Sequence, residues 1–166
     1  MDIESSCLKR SCITYVREPT NATERLDLLL SLSKWRQHIE PILTREKARL
    51  TSLRNGIKFQ LSAHVELKKF VYNEEGESTP RFIDPYFNSE SLRYDTQNYD
   101  EMVNGMLLDI LSKFDAFVAS GSGYTLQRVL KLFLRIYQYR ILRGGSKLCP
   151  KLINKRACLS IPWVMV

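Results

Sequence analysis

Ile57-Lys58-Phe59-Gln60-Leu61-Ser62-Ala63-His64-Val65-Glu66-Leu67-Lys68 is the stretch on which the fold turns. Apolar and polar side chains alternate along it without a break. A helix returns to one face every 3.6 residues or so, whereas a period of two belongs to a strand with one buried and one wet face. His64 falls on the wet side, which makes it a surface histidine and not a ligand or base.

Upstream of this strand the pattern is helical. It starts at Glu24, with Thr20, Asn21 and Thr23 offering capping oxygens. Leu26, Leu29, Leu30, Ser33 and Gln37 mark one face, with Leu28, Leu32, Trp35 and Ile39 beside it. Pro41 suits the first turn of a helix and damages the middle of one. A bend near Glu40 and a second helix to Arg54 are therefore expected, with Gly56 as its stop. Arg45, Glu46, Lys47, Arg49 and Arg54 read as a solvated helix face. Residues 1–23 read as an irregular leader, with a short strand at Ile13–Val16.

Downstream, residues 73–81 have the composition of a turn or loop. Pro85-Tyr86-Phe87-Asn88-Ser89 leads into an extended piece at Ser91–Tyr94. Asn98 and Glu101 have the spacing of a capping box. Met102, Val103, Met106, Leu107, Ile110, Leu111, Phe114, Phe117 and Val118 then recur at helical spacing as one apolar face. Gly121 and Gly123 end that helix. A second long strand is expected over Tyr124–Tyr139, with Leu126, Leu130, Leu132, Leu134 and Ile136 on one face and Arg128 as the exception. Ala157–Ile161 is a candidate last strand. The elements add up to an α+β fold, an antiparallel or mixed sheet with amphipathic helices packed on one face, in a single domain at 24–161.

With 166 residues, 44% of them hydrophobic, the chain can bury a core without metals or disulfides. No run of about 18 apolar residues exists, so no transmembrane helix is expected. Met1-Asp2-Ile3-Glu4 lacks the basic start of a signal peptide, which points to an intracellular protein, nuclear or cytoplasmic. Cys7, Cys12, Cys149 and Cys158 then read as free thiols. A zinc site is not expected, because His38 and His64 are far apart and both sit in regular elements. No cofactor and no small-molecule substrate are implied. Cys149 lies in a basic segment but has no histidine nearby in sequence to act as its base, and no complete active site can be assembled.

The net charge of +7 is local. All 18 carboxylates precede residue 116. Beyond it stand Arg128, Lys131, Arg135, Arg140, Arg143, Lys147, Lys151, Lys155 and Arg156, with no acid among them. Such asymmetry suggests a polyanionic partner. The strand face Lys131, Phe133, Arg135, Tyr137, Tyr139 alternates cations with rings. That is how sheets grip single-stranded nucleic acid, cations tracking phosphates and rings stacking on bases. The same rings would serve equally in a sheet buried on both faces.

A wider pattern joins these pieces. Gly56-Ile57-Lys58-Phe59-Gln60-Leu61, Val65-Glu66-Leu67, Pro85-Tyr86-Phe87-Asn88-Ser89, the helix around Leu107–Phe117, Gly121-Ser122-Gly123-Tyr124, Val129-Leu130-Lys131-Leu132 and Leu142-Arg143-Gly144-Gly145-Ser146 follow in order. The order resembles the region associated with protein-primed family B DNA polymerases of Polinton (Maverick) mobile elements and related viruses. It covers residues 24–161. The chain departs from that family in carrying Tyr124 for a tryptophan and Leu159-Ser160-Ile161 for Ile-Asn-Ile. It ends in a divergent tail, 162–166, where the family continues toward the polymerase. The resemblance implies a truncated copy whose parent is a DNA-directed DNA polymerase, and no polymerase carboxylate maps onto it.

Charge and resemblance together predict a non-catalytic accessory fragment of a mobile-element DNA replication protein. Its partners would be DNA, single- or double-stranded, and the downstream polymerase region. Lys131, Arg135, Arg140, Arg143, Lys147 and Lys151 are the expected phosphate ligands, with Tyr137 and Tyr139 for stacking. The alternative is a protein-interaction module that uses the face of Phe133, Tyr137 and Tyr139.

Overall fold

The computed structural model describes residues 12–51 and 55–140. The fold is α+β as expected, with an antiparallel six-stranded sheet. Its spine is β2 (Asn55–Tyr72), the alternating stretch and its flanks. On one side β2 pairs with β6 (Thr125–Arg140), which pairs in turn with β1 (Cys12–Arg17). On the other side β2 receives three short strands end to end, β3 (Ser78–Ile83), β4 (Tyr86–Asn88) and β5 (Leu92–Arg93). The strand expected at Ile13–Val16 is thus present, and the leader feeds the sheet.

One sheet face carries the core. Phe59, Leu61, Ala63, Val65 and Leu67 of β2 stand opposite Ile136, Leu134, Leu132, Val129 and Leu126 of β6. All but the half-buried Leu126 are buried, in a single apolar cluster with residues of α2 (Leu28–Thr51) and α3 (Tyr99–Phe117). Both helices therefore lie on the same side. Burying one strip of a sheet against two helices is the ordinary solution for an amphipathic strand.

The phase of β6 departs from simple alternation. Two register shifts interrupt its pairing with β2, between His64 and Val65 and between Glu66 and Leu67. Leu130 and Gln127 are the extra residues on the bulged strand. Val129, not Leu130, consequently enters the core line, and Arg128 turns to the opposite face beside Glu66. The lone charge in an apolar line was the trace of a bulge.

The first two helices differ from expectation in three places. A short α1 (Ala22–Leu26), capped by Asn21 Oδ1 accepting from the Glu24 backbone N–H at 2.8 Å, ends at Asp27, whose extended backbone separates it from α2. Asp27 Oδ1 then accepts from Leu30 N–H at 3.1 Å. This break resets the phase, so Leu28, Leu32, Trp35, Ile39 and Leu43 face the core, and Leu26 and Leu29 are exposed. Next, α2 runs through Pro41 without ending. Pro41 is on the exposed side, while Ile39 and Leu43 around it are fully buried and hold both halves to the sheet. Finally, Glu46 is buried, not solvated.

At α3 the capping box is not made. Asn98 makes no side-chain capping bond, and its Nδ2 donates to Asp95 Oδ2 at 3.1 Å instead. The far end closes as the glycines require. Gly121 and Gly123 have φ of 76° and 68°, in the left-handed region open to glycine.

The expected loop at 73–81 is the tip and second strand of a hairpin. Asn73 Oδ1 accepts from the backbone N–H groups of Glu75 and Glu77 at the turn. All of β3 except Ile83 is exposed, so no alternation marks it. Pro80 is tolerated because β3 pairs on one edge only among the described residues. No helix among the described residues is long and apolar enough to cross a membrane. The candidate strand Ala157–Ile161 lies outside the described residues.

Candidate nucleic-acid interface

The side chains that alternate with the core residues form the other sheet face, and no described helix packs on it. Register determines its membership. Lys58, Gln60, Ser62, His64, Glu66 and Lys68 of β2 stand beside Tyr137, Arg135, Phe133, Lys131, Arg128 and Thr125 of β6. Cys12, Thr14 and Val16 of β1 continue it past β6. Tyr86 and Asn88 of β4, Arg93 of β5 and Phe82 of β3 continue it past β2.

A cluster of rings occupies the middle. His64 and Tyr86 are stacked 4.1 Å apart and within 5° of parallel. Phe133 approaches Tyr86 at 5.9 Å, tilted by 41°. The Arg135 guanidinium lies 5.6 Å from the Phe133 centroid and donates to Ser62 Oγ at 3.0 Å. Ser62, small and beneath these groups, is buried on what would otherwise be a wet face. The His64 side chain is 14% exposed and Tyr86 is 50% exposed, so the tyrosine is the outer member of the stack. His64 Nε2 lies 3.4 Å from Asp84 Oδ2.

Charge is mixed on this face, with cations in excess. Lys58, Lys68, Arg93, Arg128, Lys131 and Arg135 stand against Glu66 and the rim carboxylates of Glu18 and Asp84. Arg128 forks onto Glu66, with Nε and Nη2 at 3.0 and 3.3 Å from its two oxygens. Lys131 Nζ is 3.4 Å from Glu18 Oε1, and both of these side chains are substantially exposed. Exposed pairs of this kind contribute about 0–1 kcal/mol, so a phosphate can compete for either cation.

Of the residues predicted for contact, Lys131, Arg135 and Tyr137 share this face. Tyr137 is half-buried between Cys12 and Lys58, its hydroxyl 3.5 Å from Gln60 Oε1, and burial pushes its phenol up. Tyr139 and Arg140 occupy the last positions of β6, paired with Gly56 and Asn55. Arg143, Lys147 and Lys151 lie outside the described residues, as does Cys149. His38 and His64 are on opposite sides of the sheet, and among the described residues no group of metal-ligand type gathers three strong.

Sequence reading missed Tyr86, and undervalued His64 and Phe133. Phe87 as a core residue would have put Tyr86 on the opposite face. Its partnership with His64 depends on β4 pairing with the middle of β2, which no local pattern encodes.

Toward the tip of the β2–β3 hairpin the exposed apolar surface continues. Phe70, Val71, Tyr72 and Phe82 are exposed there, with Lys68 Nζ 4.5 Å from the Phe70 ring and 5.8 Å from that of Phe82. No protein-family model matches the chain, and no curated protein matches it.

Proposed function

We propose that the chain is a non-catalytic accessory module of a mobile-element DNA replication protein, acting in the nucleus or cytoplasm. It contacts DNA through the open face of its sheet. The observation that carries this reading is the grouping of Lys131 and Arg135 around a partly exposed ring cluster on a face that no described helix covers. The resemblance to the Polinton polymerase-associated region supplies the replication context. The parent would be a DNA-directed DNA polymerase, and the adjoining polymerase region a second partner.

A salt titration of labelled DNA by fluorescence anisotropy tests it. Each phosphate neutralised contributes about −0.7 to −0.9 to the slope of log K against log salt. Lys131→Glu and Arg135→Ala are each expected to weaken binding and to flatten that slope by about one. Absence of binding at low salt, or binding indifferent to salt and to both substitutions, refutes the proposal.

One observation favours a second reading, a protein-interaction module. The hairpin exposes Phe70, Tyr72 and Phe82 above an acidic tip of Glu74, Glu75 and Glu77, which suits a protein surface better than phosphate. Under that reading the chain does not bind DNA, and Phe70→Ser with Tyr72→Ser abolishes partner capture.

A further inference from the structure

We propose that the open face takes a single strand in preference to a duplex, with one base on the outer face of Tyr86 and its neighbour at Phe133. This rests on the DNA-contact reading above and deepens it by naming the substrate form.

Three features carry it. The first is the shape of the face. The sheet that carries the ring cluster is four strands wide at that level, β1, β6, β2 and β4, which is three strand spacings of about 4.8 Å each, or about 14 Å before side chains are added. The major groove, about 12 Å wide, admits a helix or a two-stranded ribbon but not such a face. Base edges of a duplex are thus out of reach.

The second is the outward ring. Tyr86 has one face on His64 and is nonetheless 50% exposed. In a duplex the base faces are already stacked on one another, so this surface has nothing to meet. In a single strand each base has a free π-face, and stacking is tolerant of sequence.

The third is spacing. The Tyr86 and Phe133 centroids are 5.9 Å apart. Stacked bases rise about 3.4 Å per nucleotide in duplex DNA, so neighbouring bases reach both rings only in a stretched strand. Arg135, held against Phe133 and Ser62, and Lys131, one register step away beside His64, then flank the sugar-phosphate chain.

The experiment uses the full chain and three labelled probes of equal length, an oligothymidylate, a duplex, and an abasic strand that keeps every phosphate but has no bases. The oligothymidylate is expected to bind about tenfold tighter than either of the others, from one to two stacked bases. Tyr86→Ala removes about that factor for oligothymidylate and leaves the abasic strand unaffected, and Tyr86→Phe retains it. The wild-type comparison of probes stands even if the alanine variant folds poorly. Equal affinity for the abasic strand, or tighter binding of the duplex, overturns the single-strand inference and leaves the DNA-contact reading standing. No binding of any probe overturns both. A dimer that forms without nucleic acid and is lost in Tyr86→Phe or Tyr86→Ala assigns the face to a second copy and also overturns it.

Discussion

The hydroxyl of Tyr15 on β1 donates a 2.6 Å hydrogen bond to Oε1 of Glu46 on α2. It ties the outermost strand to the helix layer across the edge of the core. Arg45 and Arg49 complete the surroundings of the carboxylate, Arg49 Nη2 at 2.8 Å from Oε2. Burial pushes the Tyr15 phenol up, and the neighbouring carboxylate adds to the shift, so the tyrosine stays a donor.

Tyr15→Phe is expected to destabilise the fold by about 1–3 kcal/mol, because it takes a donor from a buried carboxylate. Urea denaturation reads this as a lower midpoint at constant slope. Replacing Glu46 by Leu in the same chain is expected to recover part of the loss, since the charge no longer has to be solvated. A Tyr15→Phe midpoint equal to wild type would refute the assignment.

Glu24 gives the fold a defined acid limit. Its side chain is fully buried, which by itself would raise its pKa. The Arg17 guanidinium and the backbone and hydroxyl of Thr20 outweigh burial and bring it from 4.5 down to about 2. A depressed carboxylate stabilises the folded state above its unfolded pKa and loses that contribution as pH falls toward its folded pKa. Stability is therefore expected to drop between pH 4.5 and about 2, by on the order of 3 kcal/mol from this group. Glu24→Gln is expected to be less stable at neutral pH and to flatten this part of the profile, followed by thermal melts across the range.

Tyr99 is the opposite case. Its ring is buried at the start of α3 and meets Tyr94 edge-on at 6.2 Å, but its hydroxyl makes no hydrogen bond among the described residues. Burial accordingly pushes the phenol far up. Tyr99→Phe keeps the ring and removes the unpaired hydroxyl, so the melting temperature is expected to hold or rise, a gain of about 1 kcal/mol at most. A clear loss would reveal a partner for that hydroxyl.

The bulges on β6 predict unequal tolerance of deletion. Leu130 is the extra residue between the pairs His64–Lys131 and Val65–Val129, so removing it leaves every pair in place. Removing Phe133 instead draws Lys131 into the fully buried position of Leu132. The first deletion is expected to fold with a modest loss, and the second to lose several kcal/mol through an unpaired buried charge. Circular dichroism melts of the two variants give the comparison.

These residues also mark how far the sequence could be read. The β2 strand was legible because both its faces obey one period and its neighbours do not interrupt it. The extent of β6 was legible, but its phase was not, since a bulge adds a residue with no compositional signal except Arg128 on the wrong face. Exposure hid β3, because a strand with no buried face has no alternation to display. The division into two helices expected near Glu40 is not made, because a proline on the exposed side costs α2 one hydrogen bond while Ile39 and Leu43 hold the chain. At the site, Lys131, Arg135 and Tyr137 could be grouped from one strand. The Tyr86–His64–Phe133 cluster needs three strands brought together and could not.

The antiparallel pairing of β6 with β2 has a consequence for how the chain is made. Lys58 meets Tyr137 and Phe59 meets Ile136, contacts that close only after nearly the whole described sequence has been synthesised. The first strand waits longer still, because its only described neighbour is β6. Contacts so distant along the chain slow folding and lengthen the life of partly assembled states. Until Arg140 has left the ribosome, the greasy stripe of β2 lacks one of its two flanks, and chaperone occupancy during translation should peak in that interval.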